Sequence, residues 1–218
     1  MNQQIPGDSA RPAGQPGGAG SRDRLIAAAQ ELFWSQGVAV TSPRQVMAAS
    51  GVGQGSFYHH FPSKEDLTSA AIAATAAEAL SQVRNSLGEA ETPVEQLRGY
   101  LSRPRAALRG CRVGRLVYEQ HVVDHQVLRK PVEEYFSALI DMIQAVFADL
   151  PDTSSAEARR RAYAAVATVQ GGYVLSRALG DPEALTRAVE GLLDMLETSA
   201  AVPDARERNS GAESDQHT

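Results

Sequence analysis

Between Thr41 and Leu67 the chain reads TSPRQVMAASGVGQGSFYHHFPSKEDL, and the helix-breaking residues in this run leave few folds open to it. Thr41 and Ser42 are N-cap residue types. Pro43 is tolerated in a first helical turn, where its missing N–H would be unpaired in any case. Val46, Met47 and Ala49 give the segment one apolar side, and Gly51 ends it in the left-handed conformation that glycine adopts without strain. A second, shorter helix is predicted over 53–61, with Phe57 and Phe61 four residues apart on one face. Pro62 stops it. Ser63 then caps a third helix, with Asp66 placed to answer in a capping box. Gln54, Ser56, Tyr58, His59 and His60 crowd onto the short second helix, which needs none of them to fold. Two helices joined by a tight glycine turn, the second rich in hydrogen-bonding side chains, form the arrangement that lays a helix end into a DNA groove.

Residues Arg22 to Leu67 resemble the DNA-binding domain of the TetR/AcrR family of bacterial transcriptional regulators. The likeness is carried by Arg24-Leu-Ile-Ala-Ala-Ala-Gln-Glu-Leu-Phe, by Gly37 and Thr41, and by Tyr58-His-His-Phe-Pro-Ser-Lys-Glu-Asp-Leu. The resemblance implies an all-α fold with two parts. One is an N-terminal three-helix DNA-binding domain over 21–67, with its helix-turn-helix motif at 42–61. The other is a larger helical ligand-binding and dimerisation domain over 68–202. It implies DNA contacts from Thr41, Arg44, Gln54, Gly55, Ser56, Tyr58, His59, His60 and Lys64. The planar fork of Arg44 suits guanine O6 and N7, and Gln54 suits adenine. Ser56 can bond to a base edge or a phosphate. Tyr58, His59 and Lys64 match positions that grip the backbone and carry no sequence information. Lys64, in the first turn of its helix, can share a phosphate with the free N–H groups there. For His60 a phosphate contact and a ring packed under the helix both stay open. Gly53 departs from the serine or threonine common at this cap, and so loses a side-chain hydrogen bond.

Charge sets a limit on how such a head binds. Between Ser21 and Ala70 four basic residues (Arg22, Arg24, Arg44, Lys64) meet four acidic ones (Asp23, Glu31, Glu65, Asp66). There is no broad basic stripe, so affinity has to come from placement, helix N-termini and doubling in a dimer, with a modest dependence on salt. The formal net charge of −5 is concentrated from Asp181 onward, where nine acids face three arginines, as on a solvated face. Residues 1–20 and 203–218 have almost nothing to bury and are expected to be disordered tails. No run approaches the ~20 apolar residues of a membrane helix. The single cysteine excludes an internal disulfide framework and fits a cytoplasmic protein.

Helical periodicity runs through the rest. Ser21 is read as the cap of a first helix with Leu25, Ala29, Leu32 and Phe33 on one face, and Pro104 as a kink in the helix opened by Pro93. Two long helices follow over 156–179 and 182–200. The resemblance assigns them to a two-fold four-helix interface through Tyr163, Val166, Val169, Leu185, Val189, Leu192, Leu193 and Leu196. Gly171-Gly172 inside a helix costs stability and lets another helix or a ligand come close. Tyr100, Cys111, Leu116, Tyr118, His121, Phe136, Leu139, Met142, Ile143, Gln170 and Tyr173 are the candidate walls of a pocket for a small, mostly apolar effector, with plain core packing as the alternative for each. Cys111, flanked by Arg109 and Arg112, reads either as a thiol that senses electrophiles or oxidants, or as a small buried hydrophobe. No phosphate loop, metal spacing or nucleophilic triad points to an enzyme, a cofactor or a metal. His121 and His125 lack a third ligand. The expected partners are a double-stranded operator, a second copy of the chain and an effector. A ligand-binding protein or all-helical enzyme without a DNA role is the competing reading.

Overall fold

The structure, a computed structural model, describes residues 20–201, with side chains described to Glu197. The two expected tails lie outside the described residues, apart from Gly20. Among the described residues nine α-helices follow in order: α1 (Ser21–Gln36), α2 (Pro43–Ser50), α3 (Gln54–His60), α4 (Lys64–Gly88), α5 (Pro93–Ser102), α6 (Gln120–Asp124), α7 (Gln126–Ala148), α8 (Ser155–Leu179) and α9 (Glu183–Ala201). A single 3-10 turn, Gly114–Tyr118, precedes α6, and no strand occurs among the described residues.

The first three helices stop and start where local chemistry demands. At α2 the Ser42 hydroxyl accepts from the Gln45 N–H at 3.3 Å, and the Gln45 side chain accepts from the Ser42 N–H at 2.8 Å. These reciprocal bonds satisfy two donors that a helix start leaves orphaned. Gly51 ends α2 at φ 66°, in the left-handed region, and Ser63 with Asp66 builds a second capping box at α4. Leu25, Ala29, Phe33, Val38, Val46, Val52, Phe57 and Phe61 are buried between these helices. Two expectations are corrected. Ser21 is the first residue of α1 rather than its cap, because Gly20 holds the cap position without a side-chain bond. Pro104 lies past the end of α5 and kinks nothing.

Helix α4 runs from the head into the body, packing on α1 and then along α7. Gln30 of α1 fastens the first contact by donating to Thr75 Oγ1 at 3.2 Å and Glu78 Oε1 at 3.0 Å. In α7, Leu128, Val132, Tyr135, Leu139, Ile143 and Val146 recur every three or four residues and are buried, as a core-facing helix requires. Pro131 inside α7 deprives the Val127 carbonyl of its helical donor. The Ser69 hydroxyl of α4 donates to that carbonyl at 3.3 Å instead.

Helices α7, α8 and α9 pack in succession. Gly172 is the contact point of the last pair: a Cβ there would stand 3.0 Å from Leu185 Cα, whereas Gly171 faces open space. The expected dimer residues divide accordingly. Val166, Val169, Leu185, Val189 and Leu192 are buried in the protomer's own core, and Leu193 and Leu196 pack against it half-buried. They pack within the protomer's own core. Of that group Tyr163 alone is exposed, at the head of a separate stripe on α8 formed by Ala164, Ala167, Gly171, Val174, Leu175 and Leu179.

Candidate nucleic-acid interface and ligand cavity

Helix α3 is only seven residues long, so its stability comes from what it buries rather than from its own hydrogen bonds. Phe57 is fully buried and Phe61 nearly so, with ring centroids 6.3 Å apart. This anchors one side and leaves Gln54, Gly55, Tyr58 and His59 exposed, with Ser56 and His60 half-buried. Arg44 is exposed on α2. Among the described residues Arg44, Gln54, Ser56, Tyr58 and His59 make no side-chain hydrogen bond or ion pair; the Tyr58 ring rests edge-on against Phe57, and the His59 ring against His60. Gly53 caps α3 in extended geometry without a side-chain bond. A surface of this kind offers donors and acceptors to a duplex without first breaking internal bonds.

Two of the predicted contacts sit differently. Thr41 is 1% exposed, and its hydroxyl donates to Gly37 O at 2.6 Å while accepting from Gln36 Nε2 at 3.1 Å. It closes the α1–α2 turn and spends its one hydroxyl proton there. Lys64 donates from Nζ to Val38 O at 3.0 Å and to Ala39 O at 3.4 Å, keeping one of its three ammonium protons for a phosphate.

The same turn is held from the other side by a residue that the sequence did not single out. Glu119, beyond the 3-10 turn, accepts from the Val38 N–H at 3.0 Å and from the Ala39 N–H at 2.9 Å, one on each carboxylate oxygen. A second junction centres on Trp34 of α1. Its indole N–H donates to Gly110 O at 3.3 Å, its carbonyl accepts from Arg115, and the guanidinium carbons of Arg109 and Arg112 lie 3.3 and 3.8 Å from the ring centroid. The same two arginines pair with Glu31 at 2.7 and 3.1 Å. The hydrogen bond from Arg109 holds the Glu31 carboxyl below the usual carboxylate range, outweighing its slight desolvation. On the body side, Arg177 of α8 donates to Arg109 O at 3.0 Å. The segment 109–119 is therefore bonded to the head at one edge and to α8 at the other.

That segment also walls two cavities. One, of about 400 Å³, lies between α4, the 103–113 stretch, Tyr135 and Tyr173; the other, of about 520 Å³, lies between 110–119 and α8. Cys111 and Tyr173 line both, and Tyr118 and Gln170 line the second. The remaining pocket expectations are corrected. Leu116, Leu139 and Ile143 are buried core, and Phe136 and Met142 pack half-buried against it. Tyr100 is buried beneath Arg103 and Arg105. The His121 ring lies tilted against His125, with centroids 4.2 Å apart. None of these seven residues lines either cavity. Tyr135 takes the place expected of Phe136, one residue and about 100° around α7. Burial pushes the Tyr173 phenol up to about 12, and the Tyr135 phenol upward as well, so both stay neutral hydrogen-bonding groups at physiological pH. The Cys111 sulfur accepts from the Gly114 N–H at 3.2 Å, while its flanking arginines are engaged with Trp34 and Glu31. Among the described residues there is no cluster of three metal-binding side chains, and no helix long and apolar enough to cross a membrane.

Comparison with known proteins agrees with this geometry. The family model for bacterial regulatory proteins of the tetR family matches residues 25–71, and that for the C-terminal domain of LmrA/YxaF-like transcriptional regulators matches residues 90–191. A helix-turn-helix type transcriptional regulator of the lacX 3′ region in Lactococcus lactis subsp. lactis is 27% identical over 82% of this chain and 92% of its own length. The transcriptional repressor KstR2 of Mycolicibacterium smegmatis is 31% identical over 37% of this chain and 40% of its own. The crystal structure of a TetR transcriptional regulator from Chloroflexus aurantiacus superimposes with a TM-score of 0.69 at 26% identity, covering 81% of this chain and 94% of that one. With the two family models together spanning well over half of its length, the chain belongs to the TetR family and is a DNA-binding transcriptional regulator.

Proposed function

We propose that this regulator is a repressor that binds a palindromic operator as a homodimer and lets go when a small molecule occupies its body. It divides into a DNA-binding head over 21–67 and a ligand-binding and dimerisation body over 68–202, works in the cytoplasm and catalyses nothing. The observation that carries the reading is the outer surface of α2 and α3. Arg44, Gln54, Tyr58 and His59 are exposed there without hydrogen-bond or ion-pair partners among the described residues, on helices whose opposite side is locked by Phe57 and Phe61. A head without net positive charge needs two copies for useful affinity, and the exposed α8 stripe from Tyr163 to Leu179 is the face we assign to the second copy. Repression follows the role of the KstR2 relative. Selection of genomic fragments at low salt tests the whole: a palindrome with half-sites about one helical turn apart is expected, and failure to enrich any palindrome would end the reading.

Roles within the head separate by specificity. Gln54→Ala is expected to cost ~1–3 kcal/mol against the preferred base at one position and to relax preference there. Tyr58→Phe should weaken every sequence alike. Binding curves across a set of singly substituted operators distinguish the two; equal selectivity in both variants would reverse the assignment.

Release travels through the 109–119 segment, because it walls both cavities and also holds the 37–39 turn of the head. Glu119→Ala leaves the buried Val38 with an unpaired N–H, an expected loss of ~1–3 kcal/mol in urea unfolding. Glu119→Gln, which keeps one acceptor oxygen, should lose less. Were both variants as stable as the parent protein, the carboxylate would not be what fastens head to body.

A further inference from the structure

The smaller cavity contains two arginines that no carboxylate answers. Arg103 and Arg105 both line it, both are half-buried, and neither forms an ion pair among the described residues. Arg105 spends its terminal nitrogens on the carbonyls of Tyr100, Leu101 and Arg103, closing the C-terminal end of α5. Its Nε–H is buried without an acceptor. Arg103 is less satisfied still. No hydrogen bond engages any of its three nitrogens, its Nε is buried, and its guanidinium carbon lies 5.7 Å from the Tyr100 ring centroid. Burial together with the neighbouring Arg103 charge depresses the Arg105 guanidinium below its ordinary range.

Burying unpaired charge is costly, and a fold that keeps two such groups side by side gains by admitting an anion. The other charges nearby do not serve. Arg112, on the same cavity, is taken by Glu31 at 3.1 Å. Glu89 lines the cavity from the end of α4, but is exposed and outside ion-pair distance of either arginine. Glu183 and Glu190 line a neighbouring cavity that also touches Arg103, again without pairing with it. The facing wall supplies the neutral phenols of Tyr135 and Tyr173.

We propose that this cavity is a receptor for an aromatic carboxylate, its carboxylate on the Arg103 guanidinium beside Arg105 and its ring against Tyr135 and Tyr173. A planar carboxylate matches the arginine fork, and a flat apolar body suits the aromatic walls. This deepens the effector reading given above and rests on it for any consequence at the operator, but the binding itself is measured without DNA.

The test is calorimetric titration of the full chain with 2-naphthoate and with 2-naphthamide, which share a ring system and differ in charge. Naphthoate is expected to bind about tenfold more tightly, the factor that one charge-assisted hydrogen bond supplies. Arg103→Met should bring the two ligands to within about twofold while naphthamide affinity is unchanged, and Arg129→Met, on an exposed arginine at the start of α7, should keep the preference. Naphthoate binding no more tightly than naphthamide, including binding by neither up to the solubility limit, overturns the proposal without recourse to any variant. An intact preference in Arg103→Met overturns it as well. If the preference holds, Arg103→Met removes it and naphthoate still fails to release operator DNA, the carboxylate receptor stands and the release mechanism falls.

Discussion

Leu175→Glu is expected to convert the protein from a dimer to a monomer and to weaken operator binding on the order of a hundredfold or more. Leu175 is 48% exposed in the isolated chain and lies on the α8 stripe with Ala164, Ala167, Gly171 and Leu179. Introducing a carboxylate there costs the protomer nothing, because the side chain already faces water. In a two-fold interface the same change places two desolvated negative charges near one another. The factor follows from multivalency: two linked heads engage two half-sites with an effective concentration that a single head lacks, commonly 10²–10⁴ in avidity. Sedimentation and fluorescence anisotropy on a labelled operator measure the two effects, and circular dichroism checks that helix content is unchanged. A variant that remains dimeric with parental affinity would place the partner on another face.

Phe57→Ala is expected to abolish operator binding although Phe57 cannot touch DNA. The ring is fully buried, and truncating a buried phenylalanine costs ~3–5 kcal/mol. In a head built on three short helices that loss is comparable with everything holding α3 in place. The reading side chains would survive chemically, on a helix no longer fixed at an angle to enter a groove. Urea unfolding followed by Tyr58→Phe as a comparison separates the effects, since the surface change should leave stability near the parent value. If Phe57→Ala bound the operator normally, the orientation of α3 would not depend on its buried side.

The contrast also explains what was legible beforehand. The head could be read because its determinants are local: Ser42 ahead of Pro43, the left-handed Gly51, Pro62 and the Ser63–Asp66 box all act within four residues. Two cap-type residues, Thr41 and Ser42, stand in a row, and the Gly37 carbonyl that takes the Thr41 hydroxyl leaves the cap to Ser42. The face assigned above to a second copy could not be read from periodicity, because α8 is small and apolar on more than one side. Ala158, Ala162 and Ala165 are buried while Ala164 and Ala167 are exposed. Hydrophobicity says that a side chain can be covered, not whether its own chain or a second copy covers it. The cavity depended on separations that no window spans: Glu119 meets Val38 81 positions away, and Arg115 meets Trp34 at the same distance along the chain. Neither the empty guanidinium of Arg103 nor the choice of Tyr135 over Phe136 has any signature before the chain is folded.

Trp34 is the only tryptophan in the sequence, and it stands where head, arginine-rich segment and cavity wall meet. Indole emission is sensitive to cations held over the ring and to the polarity of the space beside it. The protein therefore carries one intrinsic indole probe where head and body meet, and ultraviolet excitation alone should follow the proposed occupancy and release in real time, with no label attached to either.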